Sequence, residues 1–172
     1  AGHYRRVAVR ISGSTVILPN PRKVPDLMEE FVAWLGVSRN LLHPVALAAE
    51  SHYRLVSIPP FVDGNGRSAR LLMNMILLME GYPPAIIRKR DRLAYLSSLE
   101  KAQLGGSRDS YLNVIIKAVN RSLDIYLKAV QGETASSGDE GRLLKIGELA
   151  KRSGESNSTI RHWTKEGLLE VA

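Results

Sequence analysis

Between Gly66 and Gly81 runs "RSARLLMNMILLME", which after its first turn has almost no polar face. Such a stretch is stable in water only when other elements cover it. It predicts a buried central helix from Arg67 to about Glu80, closed by Gly81. The apolar part, "LLMNMILLM" at 71–79, is interrupted by Asn74 and falls far short of the roughly 20 residues a membrane span requires. The rest of the chain must therefore supply amphipathic helices to wrap it. "VPDLMEEFVAWLG" sets Val24, Leu27, Met28, Phe31 and Leu35 at helical spacing, with Pro25 and Asp26 in the first turn and Gly36 as a stop. "HPVALAAESHYRLVSI" repeats the pattern from Pro44, and Pro59-Pro60 ends it, because proline disfavours helix in the residue before it. Two further helices are expected near 90–104 and 109–130, separated by Gly105-Gly106.

Upstream, "YRRVAVRISGSTVILPNP" alternates polar and apolar residues around Gly13-Ser14 and predicts a hairpin with strands at 4–11 and 14–18, ended by Pro19 and Pro21. The expected body, 1–130, is thus all-α with a small β-hairpin. The Gly/Ser/acid-rich residues 131–142 have little to bury and read as a linker to a short module at 143–172.

With 172 residues the chain can hold one domain and a small second module. It has no cysteine, which removes disulfides, thiolate metal sites and cysteine nucleophiles together. The four histidines are scattered, without a zinc-ligand pattern. A net charge of +7 favours an anionic partner. "AGHYRRVAVRI" lacks the apolar core of a secretory signal, so a cytoplasmic location is expected, with no membrane partner.

The densest chemistry lies in "SIPPFVDGNGRSARLLMN", residues 57–74. Asp63-Gly64-Asn65-Gly66 heads the apolar helix, where unpaired N–H groups and the positive end of the helix dipole favour an anion. Two glycines allow close backbone approach to a phosphate. Arg67 and Arg70 share a helix face and offer planar forks of donors, and Asp63 is a hard oxygen ligand suited to Mg²⁺ bridging phosphates. An ordinary turn with surface arginines is the plainer reading. It has to explain an acid, two glycines, an asparagine and two arginines between 63 and 70, all heading one helix, so a polyphosphate site is expected.

"PFVDGNGRSAR" resembles the signature of Fic proteins, H-P-F-x-[DE]-G-N-G-R-x-x-R, whose members transfer AMP from ATP to hydroxyl side chains of target proteins. The resemblance runs over roughly residues 2–130, through "GHYRRVAVRISGS", "VPDLMEEF", "HPVALAAESHYRLVSI" and "GYPPAIIRKRDRLAYLSSL" in the family's order. It implies that Asp63 binds Mg²⁺, that Gly64, Asn65 and Gly66 hold the α- and β-phosphates of ATP, and that Arg67 and Arg70 clamp the phosphate chain. It further implies an adenine pocket lined by Tyr95 and Gln103, and a flap around Val16, Ile17 and Leu18 that takes up a target peptide as an added strand. Many family members carry an inhibitory helix whose glutamate pairs with the second motif arginine, here Arg70. No such helix is evident in the chain; if the natural protein has one, it is expected upstream of Ala1 or on a partner.

One motif position departs from the family. Where its histidine deprotonates the target hydroxyl, this chain has Pro59, which cannot act as a base. Loss of such a base typically costs about 10²–10⁴-fold, whereas a phosphate clamp is unaffected. An accidental or engineered change in an active enzyme is the alternative. No other histidine is expected to substitute: His52 reads as a core histidine and His43 as a helix-start residue before Pro44.

"LLKIGELAKRSGESNSTIRHWTKEGLLEVA" reads as helix, turn, helix. Ile146, Leu149 and Ala150 form one apolar face and Ile160 and Trp163 the other; Gly154 makes the turn, Ser156 or Asn157 the N-cap and Gly167 the stop. The stretch resembles the start of a MerR-type winged helix-turn-helix, which implies that Ser158, Thr159, Arg161, His162 and Lys165 face a DNA major groove. A packing or dimerisation hairpin is the plainer alternative. Three functions remain open on sequence: an adenylyltransferase crippled by Pro59, a non-catalytic nucleotide-sensing DNA-binding regulator, and a phosphate-binding module with neither activity. The expected partners are ATP, a target protein, DNA and a second copy of the chain.

Overall fold

Proline and glycine set most of the helix boundaries in this protein. The structure is a computed structural model and describes residues 3–11, 13–131 and 145–165. Contacts divide the chain into two units, Ala1–Gly132 and Glu133–Ala172. In the first unit, α1 (Val24–Ser38) and α2 (Pro44–Ser57) each have proline in the first turn, where its missing N–H has no helical partner to lose. Helix α3 (Asn65–Met79) follows Gly64, and α4 (Arg92–Gln103) and α5 (Asp109–Val130) are separated by Gly105, in the left-handed region at φ 91°. His43 caps α2, its Nδ1 accepting the Val45 N–H at 3.3 Å.

The core is built from α2 and α3, which pack most extensively on each other, with α1 and α5 against α2. Leu47, Ala48, Met73, Leu77, Tyr111 and Ile115 are at most 2% exposed and form its centre. Two expectations need correction here. Gly36 does not stop α1, which continues to Ser38; one interior glycine costs only about 1 kcal/mol, and the flanking Trp34 and Leu35 pack on the core. Nor is α3 buried all round. Ala69, Met73, Ile76 and Leu77 face inward, while Leu71, Met75, Leu78 and Met79 are exposed.

The hairpin also needs correction: no strand occurs among the described residues. Gly13 does turn the chain at φ 77°, and the Ser14 N–H reaches the Ile11 carbonyl at 3.2 Å. Beyond that turn the backbone groups pair elsewhere. The Thr15 N–H and the Ser14 hydroxyl both donate to Glu100 on α4, at 3.1 and 2.6 Å, and the Arg5 N–H donates to the Pro60 carbonyl at 2.8 Å. The segment is therefore an extended strap tied to α4 and to the end of α2.

His52, on α2, is fully buried between Tyr95 and Tyr111, which hydrogen-bond its Nε2 at 2.9 Å and Nδ1 at 2.7 Å. Burial, and secondarily the charge of Arg70, lowers its pKa from 6.5 to about 4. The unfolded chain therefore binds this proton more tightly than the folded one. His52 contributes stability that is fully present above about pH 6.5 and is lost as pH falls toward 4, about 3 kcal/mol in all. Urea unfolding at pH 7 and at pH 4.5 should show a marked acid loss that is smaller in His52→Gln; equal losses in both proteins would contradict this.

Candidate functional site

The loop between α2 and α3 is held by its own side chains. Asn65, the first residue of α3, grips Phe61 twice: its Oδ1 accepts the Phe61 N–H and its Nδ2 donates to the Phe61 carbonyl, both at 2.8 Å. These two hydrogen bonds close residues 61–65 into a turn at the start of α3, whose opening N–H groups have no partner within the helix. Gly64, at the N-cap, has φ 83°. A side chain there is strained by about 1–2 kcal/mol, although a Cβ would meet only the end of Arg67, at 3.5 Å. Gly66 is ordinary helix, and a Cβ there would lie 3.4 Å from Arg70 Nη1. Gly64→Ala should accordingly lower unfolding stability by about 1–2 kcal/mol, and Gly66→Ala should not lower it. Chemical denaturation of the two variants checks the contrast.

Asp63 pairs with Arg67, Oδ2 to Nη2 at 3.1 Å, with side chains 91% and 76% exposed. Both are thus open to an incoming anion and its metal. Among the described residues no group of three or more His, Cys, Asp or Glu could hold a metal ion alone. One exposed carboxylate beside the start of a helix is a donor that fits Mg²⁺, which takes one or two protein carboxylates and completes its shell with other oxygens, such as those of phosphate and water.

Arg70 lies one turn into α3, half-buried, on the wall of a cavity of about 480 Å³ shared with Asn74, Arg88, Lys89, Arg92 and Tyr95. Burial raises the Tyr95 pKa, and the positive charge of Arg70 on the same cavity wall partly offsets that rise. Tyr95 is 5% exposed and its hydroxyl is turned inward to His52. Gln103 is not on that cavity. It donates to Ser57 at 3.1 Å, close in sequence to Pro59. Val16, Ile17 and Leu18 follow the tether to Glu100, three residues from Gln103 on α4, and Ile17 is 95% exposed. The strap thus runs by the end of α4 that carries Gln103.

Pro59 is buried, and sequence reasoning missed the residue that holds it. Arg5, 3% exposed, donates from Nε to the Pro59 carbonyl at 2.6 Å, from Nη1 to Val7 at 2.9 Å and from Nη2 to Pro19 at 2.7 Å. One guanidinium joins both ends of the strap to the turn after α2. An arginine in an alternating stretch reads as a solvent-facing residue, and no local pattern marks it otherwise.

The second unit contains α6 (Ile146–Ser153) and α7 (Asn157–Lys165). Gly154 turns between them at φ 73°, and Ser156 caps α7, its hydroxyl accepting the Thr159 N–H at 3.1 Å. Ala150 and Ile160 are buried between the helices. Ser158, Arg161, His162 and Lys165 are exposed, while Thr159 is half-buried and joins Ser158 in hydrogen bonds to Ser156. The Trp163 side chain, Gly167 and linker residues 132–142 lie outside the described residues.

Residues 1–77 match the Fic/DOC family, and residues 145–172 match the MerR family regulatory protein. Over 129 residues the chain is 44% identical to the protein adenylyltransferase Fic of Culex quinquefasciatus, covering 74% of this chain and 25% of that protein. It is 45% identical, with the same coverage, to its counterpart in Drosophila mojavensis. The chain thus spans about a quarter of the length of the curated relatives it matches. A solved Fic-1 fragment from C. elegans aligns with TM-score 0.68 at 34% identity, covering 78% of this chain and 39% of that one. A Fic domain containing signaling protein from Bacteroides thetaiotaomicron aligns at 0.65 and 34%, covering 78% and 58%. Sequence, turn geometry and helical architecture agree: the chain contains a Fic/DOC family domain.

Proposed function

We propose that the first unit binds ATP with Mg²⁺ and belongs by descent to the protein adenylyltransferases, with AMP transfer strongly reduced because Pro59 stands at the base position. The observation that carries this reading is the turn from Phe61 to Asn65: closed by two 2.8 Å bonds, capped by a left-handed Gly64 and flanked by Asp63, Arg67 and Arg70. In this reading the N–H groups of Gly64, Asn65 and Gly66 receive the phosphate oxygens. Asp63 leaves its pair with Arg67 to hold Mg²⁺, freeing the guanidinium for the phosphates. The metal, when bound, neutralises charge on the phosphate chain and orients it. Arg70 contributes a second, less solvated fork from its cavity. The strap carrying Val16, Ile17 and Leu18 is the docking segment for a target peptide, and Tyr95 and Gln103 lie toward the adenine side. Calorimetric titration with ATP tests the reading: saturable binding that strengthens with Mg²⁺, and loses that dependence in Asp63→Ala, is expected. Absence of binding at millimolar ATP would contradict it.

A second reading, a nucleotide-sensing regulator that contacts DNA, draws on the exposed Arg161 and Lys165 of α7 and on the MerR match. It predicts duplex binding that weakens steeply with salt and is reduced by Arg161→Ala while ATP binding is unchanged. A gel shift without salt dependence would remove it.

A further inference from the structure

The strap before α1 is anchored on both sides of Ile17, and one anchor is a single buried side chain. On one side the Ser14 hydroxyl and the Thr15 N–H donate to Glu100 of α4, at 2.6 and 3.1 Å. On the other the Pro19 carbonyl accepts from Arg5 Nη2 at 2.7 Å. Val16, Ile17 and Leu18 span the gap between them. Among the described residues the backbone groups of Ile17 and Leu18 have no hydrogen-bond partner, so the two anchors supply the hydrogen bonds that fix this stretch.

Arg5 also reaches the turn after α2. Its Nε donates to the Pro59 carbonyl at 2.6 Å, its Nη1 to the Val7 carbonyl at 2.9 Å and its backbone N–H to the Pro60 carbonyl at 2.8 Å. One planar group thus fixes Val7, Pro19 and Pro59 relative to one another. Arg5 is 3% exposed and pairs with no carboxylate among the described residues. A buried charge without a counter-ion is costly unless it gives charge-assisted hydrogen bonds, and here three carbonyls receive them. An apolar side chain would fill the space without that cost, but would leave the three carbonyls unconnected.

The turn at the start of α3 is closed without Arg5, by the two bonds between Asn65 and Phe61. The two attachments are therefore separable: Asn65 shapes the turn, and Arg5 sets the strap against residue 59. We infer that Arg5 is a positioning residue for the strap, holding residues 16–18 in register with residue 59, so that a docked peptide brings its hydroxyl to that position. In a peptide paired with the strap, successive residues are about 3.4 Å apart, so a small slip of the strap carries the hydroxyl out of reach. The consequence for peptide docking rests on the function proposed above; the restraint on the strap does not.

Arg5→Lys tests the inference, because it keeps the charge but replaces a fork that reaches three carbonyls with one point donor. Nitrogen-15 relaxation of the full chain should show the Ile17 and Leu18 amides markedly more mobile in Arg5→Lys than in the wild type, with the Asn65 and Gly66 amides unchanged. ATP affinity should be unchanged as well. In the Pro59→His background, self-labelling from ATP should fall about 10²-fold, the loss expected when a reacting group is misplaced by about 1 Å. If the charge alone mattered, lysine would preserve the order of the strap, and that result would overturn the inference; so would Asn65 and Gly66 amides that loosen together with the strap. Should Arg5→Lys not fold, the wild type decides: its Arg5 Nε–H should exchange with solvent far more slowly than that of the exposed Arg67, and equal exchange would overturn the inference. A strap loosened by Arg5→Lys in a protein that does not bind ATP would support the inference and reject the nucleotide reading.

Discussion

Pro59→His should raise AMP transfer from labelled ATP, to the protein itself or to a target, by about 10²–10⁴-fold, the range for a positioned general base. The surroundings of residue 59 are prepared for the exchange. Arg5 holds the Pro59 carbonyl, not its ring, so the 2.6 Å anchor does not depend on which side chain follows. Pro60 restricts residue 59 to extended conformations, which histidine adopts without strain. On the other side, Asn65 pins Phe61 by both backbone groups, so the turn bearing residue 59 and the start of α3 move as one piece. His52 cannot serve instead, because both ring nitrogens are engaged and the ring is sealed in the core. Label in Pro59→His at the wild-type level would mean that more than the base is missing.

Arg70→Ala should weaken ATP binding by about 10²-fold, whereas Arg67→Ala should cost several-fold at most. Both would donate to phosphate, but in different surroundings. Arg67 is 76% exposed and already shares its charge with Asp63, so solvent and the neighbouring carboxylate screen it. Arg70 is half-buried beside Tyr95, where a charge-assisted hydrogen bond is worth more. Removing it also removes a positive charge near His52, whose pKa should rise from about 4. Calorimetry of the two variants, with the His52 titration followed by NMR, reads both effects. Equal affinities for Arg67→Ala and Arg70→Ala would contradict the division of labour.

Much of this was legible in the sequence because local chemistry decides it. Pro44, the Pro59-Pro60 pair, Gly81 and Gly105 mark boundaries at which helices do start or end. The cluster from Asp63 to Arg70 forms its turn from its own residues, so its reading needs no distant partner. The hairpin failed for the opposite reason. Alternation says that one face of a segment is apolar but not which groups take its hydrogen bonds, and here Glu100 and the Pro60 carbonyl, far along the chain, take them. Apolarity likewise indicated that α3 is covered but not that Leu71 and Leu78 stay exposed. Arg5 and the path from Tyr95 through His52 to Tyr111 are visible only once the strap and α2, α4 and α5 are packed.

The central claim is that the turn at the mouth of α3 receives the phosphates of ATP. Amide chemical-shift mapping during titration with ATP and Mg²⁺ addresses it residue by residue. Large, saturable shifts at Gly64, Asn65, Gly66 and Arg67, reduced in Arg70→Ala, are predicted. Shifts confined to other parts of the domain, with these four amides still at millimolar nucleotide, would contradict it.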